Sequence, residues 1–178
     1  MTKGIFITGT DTGVGKTVVA AGLACLLSRQ EKKTAVMKPV QTGGVWQNGR
    51  LISEDLELLK SGISLNEPQE LLNPYCFPEP CSPHLAARLA GTKIEPGKII
   101  GAYGQLALKY ERVIVEGAGG LLVPLTEKYL LADLVRDLNL PLVIVVSNRL
   151  GVINHAVLTV ECARQRGLEI LGIVINHT

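Results

Sequence analysis

The sequence predicts an α/β fold of the doubly wound type, in which helices cover both faces of a mostly parallel sheet. Five short apolar runs, rich in β-branched residues, recur along the 178 residues. Most of these runs are separated by segments in which apolar side chains have helical spacing. The runs are continuously apolar and do not alternate, which is typical of strands buried on both faces of a parallel sheet. We therefore expect a single α/β domain over residues 1–178.

The strands are predicted from these apolar runs, because none of the runs has a charged residue in its interior. The predicted strands are residues 4–8, 34–37, 112–115, 142–146 and 170–175. We expect all five to be buried, since each is apolar along its length.

The helices are predicted from apolar spacing and from residues that start or end helices. The predicted segments are residues 15–30, a helix beginning at Pro83, residues 96 or 97 to 109, residues 133–138 and residues 154–166. Ser82 is a suitable N-cap before Pro83, and Gly167 suits the end of the last helix. Five prolines between residues 66 and 83 break any long element there. That segment is predicted to cross over the top of the sheet, either as a substrate loop or as a rigid surface connection.

Composition and charge disfavour several classes of protein. Apolar residues make up 47% and charged residues 19%, which argues against disorder. The net charge is +2 without a run of five like charges, so neither nucleic acid nor a membrane surface is an expected partner. The four cysteines lack zinc-type spacing, and no apolar run has the length of a membrane span. We expect a cytoplasmic protein with free thiols.

A glycine-rich loop joins the first predicted strand to the first predicted helix. Its sequence is Gly9-Thr-Asp-Thr-Gly-Val-Gly-Lys-Thr17. In such a loop the backbone N–H groups and the helix N-terminus can hold phosphates, Lys16 can neutralise phosphate oxygens, and the Thr17 hydroxyl can ligate Mg²⁺. Five residues separate Gly9 from Gly15, one more than the strict Walker A pattern has, so the loop is a variant. It predicts the binding of ATP or GTP.

Three further charged residues are candidates for phosphate chemistry. Glu116 follows the strand at 112–115 and opens a Glu-Gly-Ala-Gly-Gly turn, and Lys38 follows the strand at 34–37. Both are expected at the carboxyl edge of the sheet, where α/β folds bind ligands. Glu116 and Asp55 are candidate Mg²⁺ ligands, and Lys38 can stabilise charge in a transition state. Each has a plainer alternative. Glu116 could belong to a plain glycine turn, Asp55 could be an ordinary acidic residue at a helix start, and Lys38 could lie at a solvated strand end.

Seven motifs along the chain carry a family resemblance when they are taken together. They are the loop at 9–17, residues 38–43, 73–75, 82–84, 115–120 and 151–155, and Asn176. With these motifs the chain resembles the dethiobiotin synthetase family. The resemblance implies an ATP- and Mg²⁺-dependent ligase of biotin biosynthesis with a P-loop fold. Such an enzyme makes dethiobiotin, ADP and phosphate from 7,8-diaminononanoate, CO2 and ATP through a carbamate and a carbamic-phosphoric anhydride. Members of the family continue past the position of Thr178, so their C-terminal segment is expected to be missing from this sequence.

The resemblance also implies roles for individual residues. Lys16 and Lys38 correspond to the catalytic lysines that hold the γ-phosphate and the carbamate oxygens, and Thr17, Asp55 and Glu116 correspond to the Mg²⁺ ligands. The implied nucleotide-binding residues are Thr12, Gly13, Val14, Gly15, Lys16, Thr17, Asp55, Glu116, Gly117, Ala118, Gly119 and Asn176. Among them, Asn176 corresponds to the residue whose amide pairs with the adenine edge.

The implied substrate site involves two subunits. Thr42 corresponds to a residue that contacts the diamine, Thr12 lies at the same junction, and Lys38 contacts the carbamate. Gly151, Val152, Ile153 and Asn154 open a helix whose free N–H groups suit a carboxylate. In the family this turn comes from the neighbouring subunit, which implies a homodimer with substrate at the interface. The alternative for this turn is a plain helix start.

Other classes of ATP-binding protein share part of these motifs. ParA- and MinD-like partner-switched ATPases share the Gly-Val-Gly-Lys-Thr sequence, but they have a signature lysine at the position of Asp11 and an Asp-x-x-x-Gly loop at the position of Glu116. Cobyrinic and cobyric acid synthases have a similar ATP-binding domain joined to a glutaminase domain, which does not fit in 178 residues. A purely structural nucleotide-binding scaffold is a further alternative.

Overall fold

The computed structural model describes residues 4–177 and contains nine strands within that range. The strands are β1 (Gly4–Gly9), β2 (Thr34–Met37), β3 (Val40–Thr42), β4 (Val45–Gln47), β5 (Arg50–Ile52), β6 (Tyr75–Phe77), β7 (Arg112–Glu116), β8 (Leu142–Ser147) and β9 (Ile170–Asn176). Five of them form an all-parallel sheet in the order β2-β7-β1-β8-β9. These are the five predicted strands, and each ends within one residue of its predicted position. The predicted doubly wound fold is confirmed.

Helices cover the sheet and agree with the capping signals of the sequence. They are α1 (Lys16–Arg29), α2 (Glu54–Lys60), α3 (Gln69–Leu72), α4 (Pro83–Leu89), α5 (Pro96–Lys109), α6 (Leu131–Leu138) and α7 (Val152–Gln165). Helix α4 has Ser82 at its N-cap and Pro83 at its first position, as predicted. Helices α6 and α7 begin two residues earlier than predicted, and neither α2 nor α3 was among the predicted helices. Across residues 4–177 no helix is long and apolar enough to cross a bilayer.

The core lies on both faces of the central strands. Phe6 and Ile7 are neighbours in β1 and point to opposite faces, yet both side chains are fully buried. Val113, Ile114 and Val115 in β7 show the same continuous burial. β1 and β7, whose carboxyl ends lead into the candidate site, are therefore buried on both faces of the sheet.

The edge strand β9 differs from the prediction. Leu171, Ile173 and Ile175 are 53%, 45% and 59% exposed, and they share one face of the strand. Among the described residues β9 pairs only with β8. The prediction of burial is wrong for this strand. A continuous apolar run indicates that a strand is able to pack on both faces, but it does not indicate whether another element covers each face.

The proline-rich segment contains a strand. Within it, β6 pairs in parallel with β3, so that Val40 lies opposite Tyr75 and Thr42 lies opposite Phe77. The segment therefore contains regular structure, and its role as a substrate loop or a rigid surface connection stays a prediction. It is the hydrogen-bonding partner of the chain that follows Lys38.

A second small element, the β4–β5 hairpin, was also missed. Its two-residue turn consists of Asn48 and Gly49, with φ of 50° and 76°. Asn-Gly is the preferred dipeptide for a hairpin turn in which both central residues have positive φ. This signal is present in the sequence and would have located the hairpin between Thr42 and Asp55.

Candidate active site

The phosphate loop lies between β1 and α1, as predicted. Gly13 and Gly15 adopt φ of 74° and 90°, values that favour glycine because a side chain is strained there. Lys16 is buried, and its ammonium donates a hydrogen bond to the main-chain oxygen of Asp11 at 2.8 Å. Burial lowers the pKa of Lys16 below its ordinary value of 10.5, and the positive charge of Lys38 lowers that pKa further. The loop thus holds a desolvated lysine beside its own backbone.

Lys38 and two carboxylates meet next to this loop. The Lys38 Nζ atom lies 2.7 Å from Asp55 Oδ2 and 2.7 Å from Glu116 Oε1. The Thr17 hydroxyl lies 3.2 Å from Asp55 Oδ1 and 3.0 Å from Glu116 Oε1. Glu116 and Lys38 are almost completely buried, whereas the Asp55 side chain is about one-third exposed. The four side chains form one connected cluster.

The charges in this cluster stabilise one another. Burial disfavours the charge on Lys38, but the carboxylates of Glu116 and Asp55 outweigh that effect and raise the pKa of Lys38 above 10.5. Burial likewise disfavours the charge on Asp55, but Lys38, Thr17 and Lys16 together hold the pKa of that carboxyl below its ordinary value of 3.8. Lys38 is therefore an ammonium and Asp55 an ionised carboxylate at neutral pH.

Sheet order explains why residues distant in sequence meet here. Strands β2 and β7 are neighbours, so Lys38 just after β2 and Glu116 at the end of β7 share the carboxyl edge of the sheet. Asp55 lies in the first turn of α2, whose N-cap Ser53 accepts a hydrogen bond from the Leu56 N–H at 3.1 Å. The Ser53 hydroxyl also donates to the side-chain oxygen of Gln41 at 3.0 Å, which ties the start of α2 to β3.

A cavity of about 490 Å³ opens over this cluster. Of the residues singled out from the sequence, those lining it are Thr12, Gly13, Gly15, Lys16, Thr17, Lys38, Thr42, Asp55, Glu116, Ala118 and Gly119. Three implied nucleotide-binding residues do not line this cavity: Val14, Gly117 and Asn176. The start of α7, residues 151–154, does not line it either, and Ile153 there is 79% exposed. Within one chain the structure thus brings the implied phosphate and diamine positions together and leaves the implied carboxylate anchor apart.

The turn after β7 needs its glycines for packing. A Cβ atom on Gly117 would lie 2.7 Å from a methyl carbon of Leu131 and 2.9 Å from the ring of Phe6. Gly119 has φ of 70°, where a side chain is strained. The plain-turn interpretation therefore accounts for these glycines, but it does not account for Glu116. The Glu116 Oε2 atom is buried and accepts no hydrogen bond from the described residues.

Asn176 contacts the phosphate loop directly. Its side-chain amide donates a hydrogen bond to the main-chain oxygen of Val14 at 3.1 Å. A Cβ atom on Gly15 would overlap that amide nitrogen. The bond fixes which side of the Asn176 amide faces the loop, so the amide oxygen faces away from it.

Asp11 was not singled out as a functional residue from the sequence. One of its carboxylate oxygens accepts the Thr12 N–H at 2.7 Å, and the other lies 2.9 Å from the Arg149 guanidinium. The Thr12 N–H and Arg149 hold the pKa of Asp11 below 3.8. Asp11 therefore joins the phosphate loop to the segment just before α7, and a lone aspartate in a glycine-rich loop gave no signal of this contact.

The fold and the loop define a P-loop nucleotide-binding protein, and comparison with known proteins narrows this class. A family model described as "AAA domain" matches residues 3–178. Among solved structures, the MinC:MinD cell division complex of Aquifex aeolicus superposes with a TM-score of 0.61 at 17% identity, covering 99% of this chain and 69% of that one. A ParA family ATPase from Chlorobium tepidum gives a TM-score of 0.57 at 16% identity, covering 100% and 74%. At such identities these similarities support the fold alone.

Curated relatives are much more similar in sequence. The "ATP-dependent dethiobiotin synthetase BioD" of Aromatoleum aromaticum is 43% identical over 97% of this chain and 76% of the relative. The proteins of the same name from Anoxybacillus flavithermus and Bacillus subtilis are 44% and 41% identical, each over 98% of this chain and over 78% and 74% of the relative. The chain belongs to the ATP-dependent dethiobiotin synthetase family.

Proposed function

We propose that this chain closes the ureido ring of dethiobiotin from 7,8-diaminononanoate and CO2, using ATP and Mg²⁺ and releasing ADP and phosphate. Membership of the family supports ATP-dependent dethiobiotin synthesis. The observation that carries the finer proposal is the cluster of Lys38, Asp55, Glu116 and Thr17 beside Lys16 at one cavity. It combines cations suited to phosphate with oxygen ligands suited to magnesium.

The residues present fit Mg²⁺. Oxygen atoms of Thr17, Asp55 and Glu116 lie close together, and Mg²⁺ prefers oxygen ligands. The unpartnered, buried Glu116 Oε2 is a further acceptor available to a cation or its water shell. Residues 4–177 contain no cluster of three or more His, Cys, Asp or Glu side chains that could hold a metal. The proposed ion is therefore one that binds together with nucleotide phosphates, whose charge it would neutralise.

The proposed reaction has three steps. One amine of the substrate adds to CO2 and loses a proton to solvent, and the resulting carbamate oxygen attacks the γ-phosphorus of ATP, with ADP as the leaving group. The second amine attacks the carbonyl carbon of the carbamic-phosphoric anhydride and also loses a proton to solvent, and phosphate leaves with the electrons of the C–O bond as the ring closes. Lys16 and Lys38 stabilise the charge that accumulates on the phosphoryl and carbamate oxygens, which is the main requirement in such a transfer.

Lys16 and Lys38 have different local roles in this proposal. Lys16 contacts a neutral acceptor of the loop, the Asp11 main-chain oxygen, and would exchange it for phosphate oxygens when ATP binds. Lys38 lines the same cavity between two carboxylates, and it lies two residues before β3, which ends at Thr42. The position of Lys38 suits the transferred phosphoryl group and the carbamate, with Thr12 and Thr42 beside the diamine.

Base recognition and subunit assembly are the remaining parts of the proposal. We propose that Asn176 pairs with the adenine edge through its amide, whose orientation is supported by the bond to Val14. We also propose a homodimer in which residues 151–154 of one subunit bind the substrate carboxylate of the other. The exposed apolar side chains of Leu150 and Ile153 at the start of α7 support a subunit contact there.

The test of this function is phosphate release from ATP and Mg²⁺, with and without 7,8-diaminononanoate and bicarbonate, with dethiobiotin followed by mass spectrometry. We expect release that requires the diamine and yields dethiobiotin. Lys38→Ala should abolish turnover and spare most ATP binding, because the charge of Lys38 is needed in the transition state. Lys93→Ala, at an exposed lysine outside the cavity, is the matched control. Phosphate release that ignores the diamine and yields no dethiobiotin would instead support a partner-switched ATPase.

A further inference from the structure

The main chain of Lys38 is held by a segment that lies far along the sequence. The Lys38 N–H donates to the main-chain oxygen of Leu72 at 2.8 Å. The main-chain oxygen of Lys38 accepts a hydrogen bond from the side-chain amide of Asn73 at 2.6 Å. Both backbone polar groups of Lys38 are therefore fixed by two consecutive residues, Leu72 and Asn73.

The side-chain amide of Asn73 donates two hydrogen bonds to main-chain oxygens, but its own oxygen is left without a partner within residues 4–177. Asn73 is 4% exposed, and its amide nitrogen also donates to the main-chain oxygen of Tyr75 at 2.9 Å. Its amide oxygen is buried and has no hydrogen-bond partner among the described residues. A buried unpaired acceptor lowers the free energy of unfolding, and an apolar side chain of the same shape removes that acceptor but leaves the main-chain oxygens of Lys38 and Tyr75 without this donor. What an apolar side chain cannot supply is a donor to the Lys38 carbonyl.

Fixing this backbone matters because of the length of the lysine side chain. Four carbon atoms with free rotation separate the Lys38 main chain from its ammonium, so a shift or rotation of the backbone moves the charge. A catalytic group displaced by about 1 Å can lose a factor of about a hundred in rate. The charge of Lys38 is also shared between Asp55 and Glu116, each at 2.7 Å, which leaves little room for displacement.

We propose that Asn73 is a positioning residue for ring closure, which holds the main chain of Lys38 so that its ammonium meets the transferred phosphoryl group. This inference rests on the proposed function, in which Lys38 is catalytic. It gives the proline-rich segment between residues 66 and 83 a role without any contact to substrate.

The experiment compares Asn73→Leu, which keeps the size of the side chain, with Asn73→Ala, which leaves space for a water molecule to reach the Lys38 carbonyl. Kinetic constants are measured together with urea unfolding. In Asn73→Leu we expect kcat to fall about tenfold to a hundredfold and the KM for ATP to stay within about twofold. Asn73→Ala should have the higher kcat of the two, because a water molecule can replace the lost donor to the Lys38 carbonyl. A purely structural role predicts instead that the activities of both variants follow their stabilities in urea.

Gln69→Leu is the matched control, because Gln69 also donates its side-chain amide to a main-chain oxygen, that of Leu51 at 3.1 Å, without contacting Lys38. We expect its kcat to stay within about twofold of the parent. Normal kcat in Asn73→Leu, activities that follow stability in the two Asn73 variants, or loss of the folded state in both would overturn the inference. If Lys38→Ala loses turnover and Asn73→Leu keeps a normal kcat, the inference about Asn73 is overturned and the proposed function is not. Turnover retained by Lys38→Ala overturns the role of Lys38 and the inference with it.

Discussion

Adding one methyl group at Gly15 tests the contact between the phosphate loop and Asn176. Gly13 and Gly15 both have positive φ, but a Cβ atom on Gly13 meets nothing within 4 Å, whereas one on Gly15 overlaps the Asn176 amide. Gly13→Ala therefore measures backbone strain alone, and Gly15→Ala measures strain together with displacement of Asn176. The two variants form a matched pair within one loop.

The expected magnitudes follow from these contacts. An alanine at positive φ lowers the free energy of unfolding by about 1–2 kcal/mol, which is the whole effect expected for Gly13→Ala. Gly15→Ala also breaks the bond from Asn176 to the Val14 oxygen, which adds about 1 kcal/mol, for a total of about 2–3 kcal/mol. Because Val14 and Gly15 belong to the phosphate loop, we expect Gly15→Ala to weaken ATP binding more than Gly13→Ala does.

The assays are urea unfolding followed by far-UV circular dichroism and calorimetric titration with a non-hydrolysable ATP analogue. Asn176→Ala removes the group that Gly15→Ala displaces. In the Asn176→Ala background, the loss of stability caused by Gly15→Ala should fall to that of Gly13→Ala in the parent. An equal loss in both backgrounds would show that Asn176 does not pack against Gly15, and the reasoning would be refuted.

Three further predictions concern the charged cluster. Lys16→Ala should impair both ATP binding and turnover, because Lys16 lies in the phosphate loop itself; unchanged affinity by calorimetry would contradict this. Glu116→Gln should raise the Mg²⁺ concentration needed for half-maximal phosphate release, and normal metal dependence would remove Glu116 from the metal site. Lys38 holds the pKa of Asp55 below 3.8, so the stability from the Asp55 charge is complete above pH 3.8 and is lost as pH falls through the lower folded pKa. Urea unfolding below pH 3.8 should show a smaller pH dependence in Asp55→Asn, and equal slopes would argue against the pair.

Patterns of neighbouring residues predicted the strands and helices whose ends are set by those same residues. The apolar run that ends at Val115 predicted the end of β7 within one residue. Pro83 predicted the first residue of α4. The positions of Lys38 and Glu116 at one edge could be predicted as well, because parallel strands bring their carboxyl ends together. The turn formed by Asn48 and Gly49 was equally predictable and was overlooked.

Contacts between distant segments were not predictable in this way. Asn73 bonds to a main-chain oxygen 35 positions earlier, and Asp11 pairs with Arg149, 138 positions later. Neither pair leaves a periodic pattern in the sequence, because a hydrogen bond between single residues needs only that the fold brings them together. The exposure of Ile173 and its neighbours in β9 is of the same kind, since it depends on what lies beside the strand.

The ion pairs of Lys38 have a consequence for the order in which ligands enter the cavity. The ammonium already pairs with one carboxylate oxygen of Asp55 and one of Glu116, two residues that we propose as magnesium ligands. A divalent ion that arrives by itself can reach the unpaired Glu116 Oε2, but at the paired oxygens it would compete with the buried Lys38 ammonium, and weakening the ion pairs of a buried cation is unfavourable. A divalent ion arriving on a nucleotide brings phosphate oxygens that offer the displaced ammonium a new anion. In the proposed site, these ion pairs would therefore favour a metal–nucleotide complex over a free divalent ion.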